Sequence, residues 1–224
     1  MVRTKLGTAH LQERHFPLAF REFFTAVELN PNNPVAHNQL GLTYILAGKI
    51  EQAEEHIKKA LQLDPKYTDA RINYSYLLLE QKKYESALKE LQLAKKDLTY
   101  KSRYRISTFE GRAYFLKNQF KKAQIALRES ILANRTYCPA HQYYGPTLTM
   151  LEDHEKAIKA IEHAINLCIK EKYPELYYYG ALTYYHLGDF SRSRAKIKEL
   201  AVKFPNSKLN AEANKILALI ESKE

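Results

Sequence analysis

With 224 residues, 45% of them hydrophobic, the chain has material for an extended core, and its 7 glycines leave no run that reads as a flexible linker or low-complexity tract. Lys and Arg outnumber Asp and Glu by 35 to 25, a formal charge of +10 that suits an acidic partner or an anionic surface. No apolar stretch is long enough to span a bilayer, and the N-terminus has neither the charged nor the apolar region of a secretory signal.

Four kinds of position recur in register along the chain. A small residue stands at Gly7, Gly41, Ser75, Gly111, Gly145 and Ala181. Twelve residues on comes another, at Ala19, Ala53, Ala87, Ala123, Ala157 and Ser193. Four further lies a bulky apolar residue, at Phe23, Ile57, Leu91, Leu127, Ile161 and Ile197. Three after that stand Ala26, Ala60, Ala94, Ser130, Ala164 and Leu200, and prolines close units at Pro31, Pro65 and Pro205. Small residues let two helix backbones approach while the bulky one fills the groove between them. A period of about 34 residues with this pattern is the signature of tetratricopeptide-repeat (TPR) helix pairs.

The units follow at about 1–33, 34–67, 68–101, 102–137, 138–173 and 174–207. Met1 already falls at the second position of its repeat, so the expectation is that an export signal or tether has been removed. Within units, Ala-Gly48-Lys, Gln-Lys82-Lys, Lys-Asn118-Gln, Glu-Asp153-His and Leu-Gly188-Asp can each end one helix and start the next. The step from Ser75 to Gly111 is two residues longer than the period, which places an insertion near Asp97–Lys101, and a second excess falls around Cys168–Pro174. Leu209, Ala213, Ile216, Leu217 and Ile220 form one more amphipathic helix over 208–224, with the polar outer face of a cap. The expected fold is all-α: a single domain, 1–224, built as a right-handed superhelical solenoid of six TPR helix pairs plus a C-terminal capping helix, thirteen helices in all.

No catalytic or cofactor constellation emerges, and none is expected. His10 and His15 are five apart and so do not share a helix face as i,i+4 zinc ligands would. No metal site is expected, and no nucleic-acid reader motif is present. The acceptor patterns at Asn73 and Asn134 occur at chance frequency. Cys138 and Cys168 stand at the start of the first helix and the end of the second helix of unit five, ends that lie side by side. A disulfide suited to an oxidising compartment and a pair of buried thiols both remain open.

Function therefore reduces to a binding surface. The first helix of each unit is expected to line the concave side of the stack, projecting its second, fifth, ninth, twelfth and thirteenth positions. These are Asn38, Leu42, Ile45 and Leu46; Ile72, Tyr76 and Leu79; Arg105, Thr108, Arg112 and Phe115; Gln142, Thr149 and Met150; and Tyr178, Leu182 and Tyr185. Tyrosine combines contact area with a hydroxyl and few rotors, so such a row suits an extended or helical peptide anchored by rings and steered by Arg105 and Arg112. The alternative for each residue is packing against the adjacent helix. Phe20 and Phe24, pointing away from the Ala19/Phe23/Ala26 seam, are a second possible docking patch. Basic residues concentrate between Lys82 and Lys122, where many simply solvate outer helices. A chaperone-tail clamp is not expected, because Thr4 and Thr8 stand where the Lys and Asn anchor would be.

The stretch from Asn73 to Ala87 and the lengthened junction from Ala94 to Arg105 resemble the TPR pilotin family of type IV pilus biogenesis (PilF, PilW and Tgl type). The Phe204-Pro205-Asn-Ser207 ending before the last helix is similar too. The resemblance implies an outer-membrane lipoprotein facing the periplasm, with an outer-membrane secretin subunit as protein partner, that helps the secretin localise and multimerise. Membrane attachment would be through a lipid anchor that this sequence does not carry. A soluble cytosolic TPR adaptor or secretion chaperone is the alternative.

Overall fold

The structure, a computed structural model, describes residues 2–223; Met1, which opens the sequence register of repeat one, lies outside them. The described residues form thirteen α-helices and no strand. Chain contacts divide them into two compact units, one ending at Ser102 and one beginning at Arg103, so the boundary falls in the enlarged junction after the third repeat.

The first unit holds three helix pairs: α1 (Val2–Gln12) with α2 (Phe16–Leu29), α3 (Pro34–Leu46) with α4 (Ile50–Leu63), and α5 (Thr68–Glu80) with α6 (Tyr84–Lys95). The second holds α7 (Arg103–Leu116) with α8 (Phe120–Ala133), α9 (Cys138–Met150) with α10 (His154–Leu167), and α11 (Pro174–His186) with α12 (Phe190–Lys203), then α13 (Leu209–Glu221). In each unit a first helix packs on the next first helix, whereas the second helices are spaced more widely, α10 and α12 meeting through the long Lys196 side chain, whose Nζ reaches Glu162 Oε1 at 3.1 Å. The first helices are thus the closely spaced row.

Local chemistry sets the boundaries. Asn33 caps α3, its Oδ1 accepting from Val35 N at 3.0 Å and Ala36 N at 3.2 Å, with Pro34 pre-set for the first turn. All six turns within pairs contain one left-handed residue at the same repeat position: Arg14, Gly48, Lys82, Asn118, Glu152 and Gly188. The following N–H reaches back to close the helix, as Lys49 N does to Tyr44 O at 2.9 Å. In the fifth repeat the left-handed residue is Glu152, one before the Asp153 on which the sequence pattern centres.

Every seam residue is buried: Ala53, Ile57 and Ala60 are fully inaccessible, as are Ala157, Ile161 and Ala164. A Cβ at Gly41 would stand 2.6 Å from Ile57 Cγ1, and one at Gly111 2.5 Å from Leu127 Cγ, so the small row exists to admit the bulky one. Cys138 and Cys168 are joined by a disulfide with a Cα–Cα separation of 5.6 Å, tying the start of α9 to the end of α10. Among the described residues, no helix is long and apolar enough to cross a membrane.

Candidate protein-binding site

The first-helix face of each unit can be built residue by residue. In the first unit, Leu42, Ile45 and Tyr76 are half-buried and Leu46 is 54% exposed, an apolar strip along α3 and α5. A cleft of about 590 Å³ between α1 and the start of α3 is lined by Thr4, Lys5, Thr8, Asn30, Asn33 and Val35. A separate apolar cleft of about 290 Å³ lies between the start of α2 and the end of α3, lined by Phe16, Pro17, Phe20, Tyr44, Leu46 and Lys49 among others.

Five residues expected to project do not. Asn38, Ile72, Leu79, Thr108 and Thr149 are each no more than 4% exposed. Asn38 accepts from Asn73 Nδ2 at 2.9 Å and donates weakly to the Tyr67 hydroxyl at 3.4 Å. Thr108 bonds with Ser130 Oγ at 2.6 Å across its own helix pair. Thr149, from the same projected row, meets Thr183 at 2.7 Å. For Asn38 and Thr149 the reason is the close approach of successive first helices, which sets Asn73 and Thr183 opposite them, whereas Thr108 is covered by the second helix of its own pair. Asn73 is buried in the same contact, which removes it as a glycosylation acceptor in the folded chain.

The second unit concentrates aromatic rings. Phe115 makes edge contacts with Phe120 at 5.7 Å, Tyr143 at 5.6 Å and Tyr179 at 6.0 Å between ring centroids. The Arg112 guanidinium lies 5.7 Å over the Tyr143 ring, and Tyr178 packs edge-on to Tyr179 at 5.1 Å. This is a half-buried aromatic shelf filled by its own rings, not an open slot. Burial, with smaller contributions from Tyr178, Glu175 and Tyr143, pushes the Tyr179 hydroxyl up to about 12, so it stays a neutral donor. Arg105 lies against Tyr137, whose hydroxyl is itself raised mainly by burial.

Gln142 is half-buried, its Nε2 donating to Glu175 at 3.4 Å. Tyr178, Leu182 and Tyr185 pack against the core shared with α13, and Lys223 covers Tyr185 at 4.6 Å. The terminal helix occupies the place of a seventh first helix, which is why these tyrosines are only partly accessible. Met150 remains 41% exposed. Phe20 leans onto Tyr44 at 5.3 Å instead of pointing away from the seam, while Phe24 is 44% exposed.

Tyr143 and Tyr179 were missed by projecting fixed repeat positions. Both occupy the sixth position, and the recurrence of tyrosine there, at Tyr143 and Tyr179, was the available signal. His10 and His15 share no helix face, as their five-residue spacing implies, and it is the turn between α1 and α2 that brings the two rings to 6.2 Å. What the surface can do chemically is hold a polypeptide by apolar and aromatic contact with arginines at its edge.

Tetratricopeptide-repeat models match residues 44–106 and 23–55. Over 157 residues the chain is 27% identical to the type IV pilus assembly protein PilF of Pseudomonas aeruginosa, a match covering 62% of each protein. The matched stretch is thus less than two thirds of that relative. A solved P. aeruginosa PilF structure superposes with a TM-score of 0.76 at 21% identity, over 96% of both chains. The structure of PilW, described as a widely conserved type IV pilus biogenesis factor, gives 0.79 at 18% identity, over 94% of this chain and 96% of that one. The structural likenesses bear on the fold, a TPR-type solenoid, and the sequence match adds the relative. The chain is accordingly an all-helical, TPR-type solenoid, similar in sequence to PilF and in fold to PilF and PilW, proteins of type IV pilus biogenesis.

Proposed function

We propose that this chain is a non-enzymatic assembly factor of the pilotin type, which holds a segment of an outer-membrane secretin subunit against its first helices while the pilus secretin localises and multimerises. It acts on the periplasmic side of the outer membrane as a lipoprotein. The observation that carries this reading is a PilF-like sequence whose first helices present Arg112 and Tyr143 beside Phe115. The Cys138–Cys168 bridge supports it, since such bonds persist in oxidising compartments.

The energetics follow from the surface. On the first unit Leu42, Ile45, Leu46 and Tyr76 supply apolar area; on the second Met150 supplies apolar area, the aromatic shelf supplies rigid anchors, and Arg105 and Arg112 orient a carbonyl- or carboxylate-bearing segment. The net positive charge raises the encounter rate more than the affinity. Nothing in this scheme makes or breaks a bond, and TPR folds are typically interaction scaffolds.

The test is capture of the cognate secretin by the full chain, alongside Leu46→Glu, Met150→Glu and the outer-helix control Lys121→Glu. Capture should fall about tenfold or more for the first two and stay level for the third. Unaltered capture by both groove variants, or no secretin bound at all, rejects the assignment. Binding of a cytosolic client in place of secretin moves the chain to the adaptor class.

A further inference from the structure

The turn between α1 and α2 gathers a ligand set that the proposed function does not use. His10, at the end of α1, Glu13, in the turn, and His15, at the start of α2, offer one ligand atom each, all within 4.8 Å of one another. The Glu13 Oε2 lies 3.9 Å from His10 Nδ1 and 3.3 Å from His15 Nδ1. Among the described residues this is the one group of three His, Cys, Asp or Glu side chains so placed.

Two further observations bear on it. His10 Nδ1 is buried and has no hydrogen-bond partner, an unsatisfied polar atom of the kind native folds seldom leave. The backbone that carries the set is also locked. Arg14 is left-handed, at φ 59°, with its N–H on Leu11 O at 3.1 Å, and His15 N–H closes onto His10 O at 2.8 Å. The three side chains are therefore brought together by a turn that recurs in every repeat, and only here does that turn carry histidine on both sides.

We propose that His10, Glu13 and His15 form a binding site for a divalent transition metal, with zinc as the ion it suits. Two neutral imidazole nitrogens and one carboxylate are a zinc donor set, and tetrahedral zinc with three protein ligands keeps its fourth position for water or a group from a partner. The spacing needs only side-chain rotation to close to bonding distance, because Glu13 and His15 are both largely exposed. Glu22 lies near His10, but its carboxylate is already held by Arg3 at 2.8 Å and Arg21 at 3.7 Å, so it adds negative field and not a ligand. The ion would tie α1 to α2 at the end of the repeat opposite the cleft residues Asn30 and Asn33.

Chelator-stripped full chain, free of any histidine tag, is titrated with Zn2+ by calorimetry and with Co2+ by visible absorption. One equivalent should bind, with the intense d–d bands of tetrahedral cobalt. His15→Ala and His10→Ala should each weaken binding about tenfold or more, since losing even a residue that merely orients a metal's ligand costs about tenfold, and Glu13→Gln should weaken it while leaving the circular dichroism unchanged. His56→Ala and His186→Ala, taken from other histidine pairs, should titrate as the parent does. The proposal is overturned if the parent takes up no Zn2+, if His15→Ala binds as well as the parent, or if His56→Ala or His186→Ala removes the bound equivalent. His15 is exposed enough that its loss cannot be put down to misfolding.

Discussion

Asn73 donates from Nδ2 to Oδ1 of Asn38 across 2.9 Å, both side chains buried between α3 and α5. The pair couples two successive repeats through polar atoms with no access to water. Replacing one partner removes a buried hydrogen bond from the amide that faces it, at a cost of about 1–3 kcal/mol. Asn38→Ala and Asn73→Ala should therefore each lower the urea midpoint, and a double-mutant cycle should show positive coupling between them. Additive losses would mean that the bond contributes nothing.

Gly145 and Gly180 lie on neighbouring first helices and should respond oppositely to an added methyl. A Cβ at Gly145 would meet Ile161 Cγ1 at 2.5 Å and the Ile161 backbone N at 3.2 Å, whereas at Gly180 the nearest atom is 3.5 Å away. Overpacking against backbone costs about 1–3 kcal/mol, while alanine in an uncrowded helix gains about 0.5–1 kcal/mol over glycine. Gly145→Ala should melt lower than the parent and Gly180→Ala slightly higher, read by thermal denaturation.

Three histidines are held below their ordinary value of 6.5. For His56 the cause is burial and then His37, whose Nδ1 lies 3.0 Å away; for His141 it is burial, with His163 adding; for His186 it is burial and then His154. The folded chain thus binds fewer protons than the unfolded one just below 6.5, the value from which all three are displaced. Their contribution is complete above that pH and is lost as acidification proceeds toward the folded values. The melting temperature should fall between about pH 7 and pH 5, and His186→Gln should flatten that slope. A slope unchanged in His56→Gln and His186→Gln alike would remove these pairs as its source.

The Cys138–Cys168 bridge closes a segment of sequence separation 30 around the fifth repeat. Cys138→Ser with Cys168→Ser should cost about 2–4 kcal/mol, largely by freeing the unfolded chain. Oxidised protein in denaturant should show no titratable thiol. Two free thiols in the native protein as isolated would contradict the bond.

The repeat register, the helix pairs and the buried Ala–bulky–Ala seams were legible in the linear chain, because each depends on residues at fixed separation within one helix pair. Gly41 against Ile57, and Gly145 against Ile161, are local consequences of 3.6-residue periodicity and a short turn. The lengthened junction around Asp97–Lys101 was equally readable as a break in the count. Side-chain destinations between repeats were not. Whether Asn38 or Leu79 faces solvent depends on how closely one first helix approaches the next, a distance set by all the packed side chains together and by no single spacing. The same three-dimensional closure decided that Phe115 meets Tyr179 across an intervening helix, that α13 covers Tyr178 and Tyr185, and that Cys138 reaches Cys168. It also brought His10 to His15 through a left-handed Arg14, a conformation that periodicity alone does not encode. Periodic burial specifies which elements form; only the packed chain specifies what each leaves uncovered.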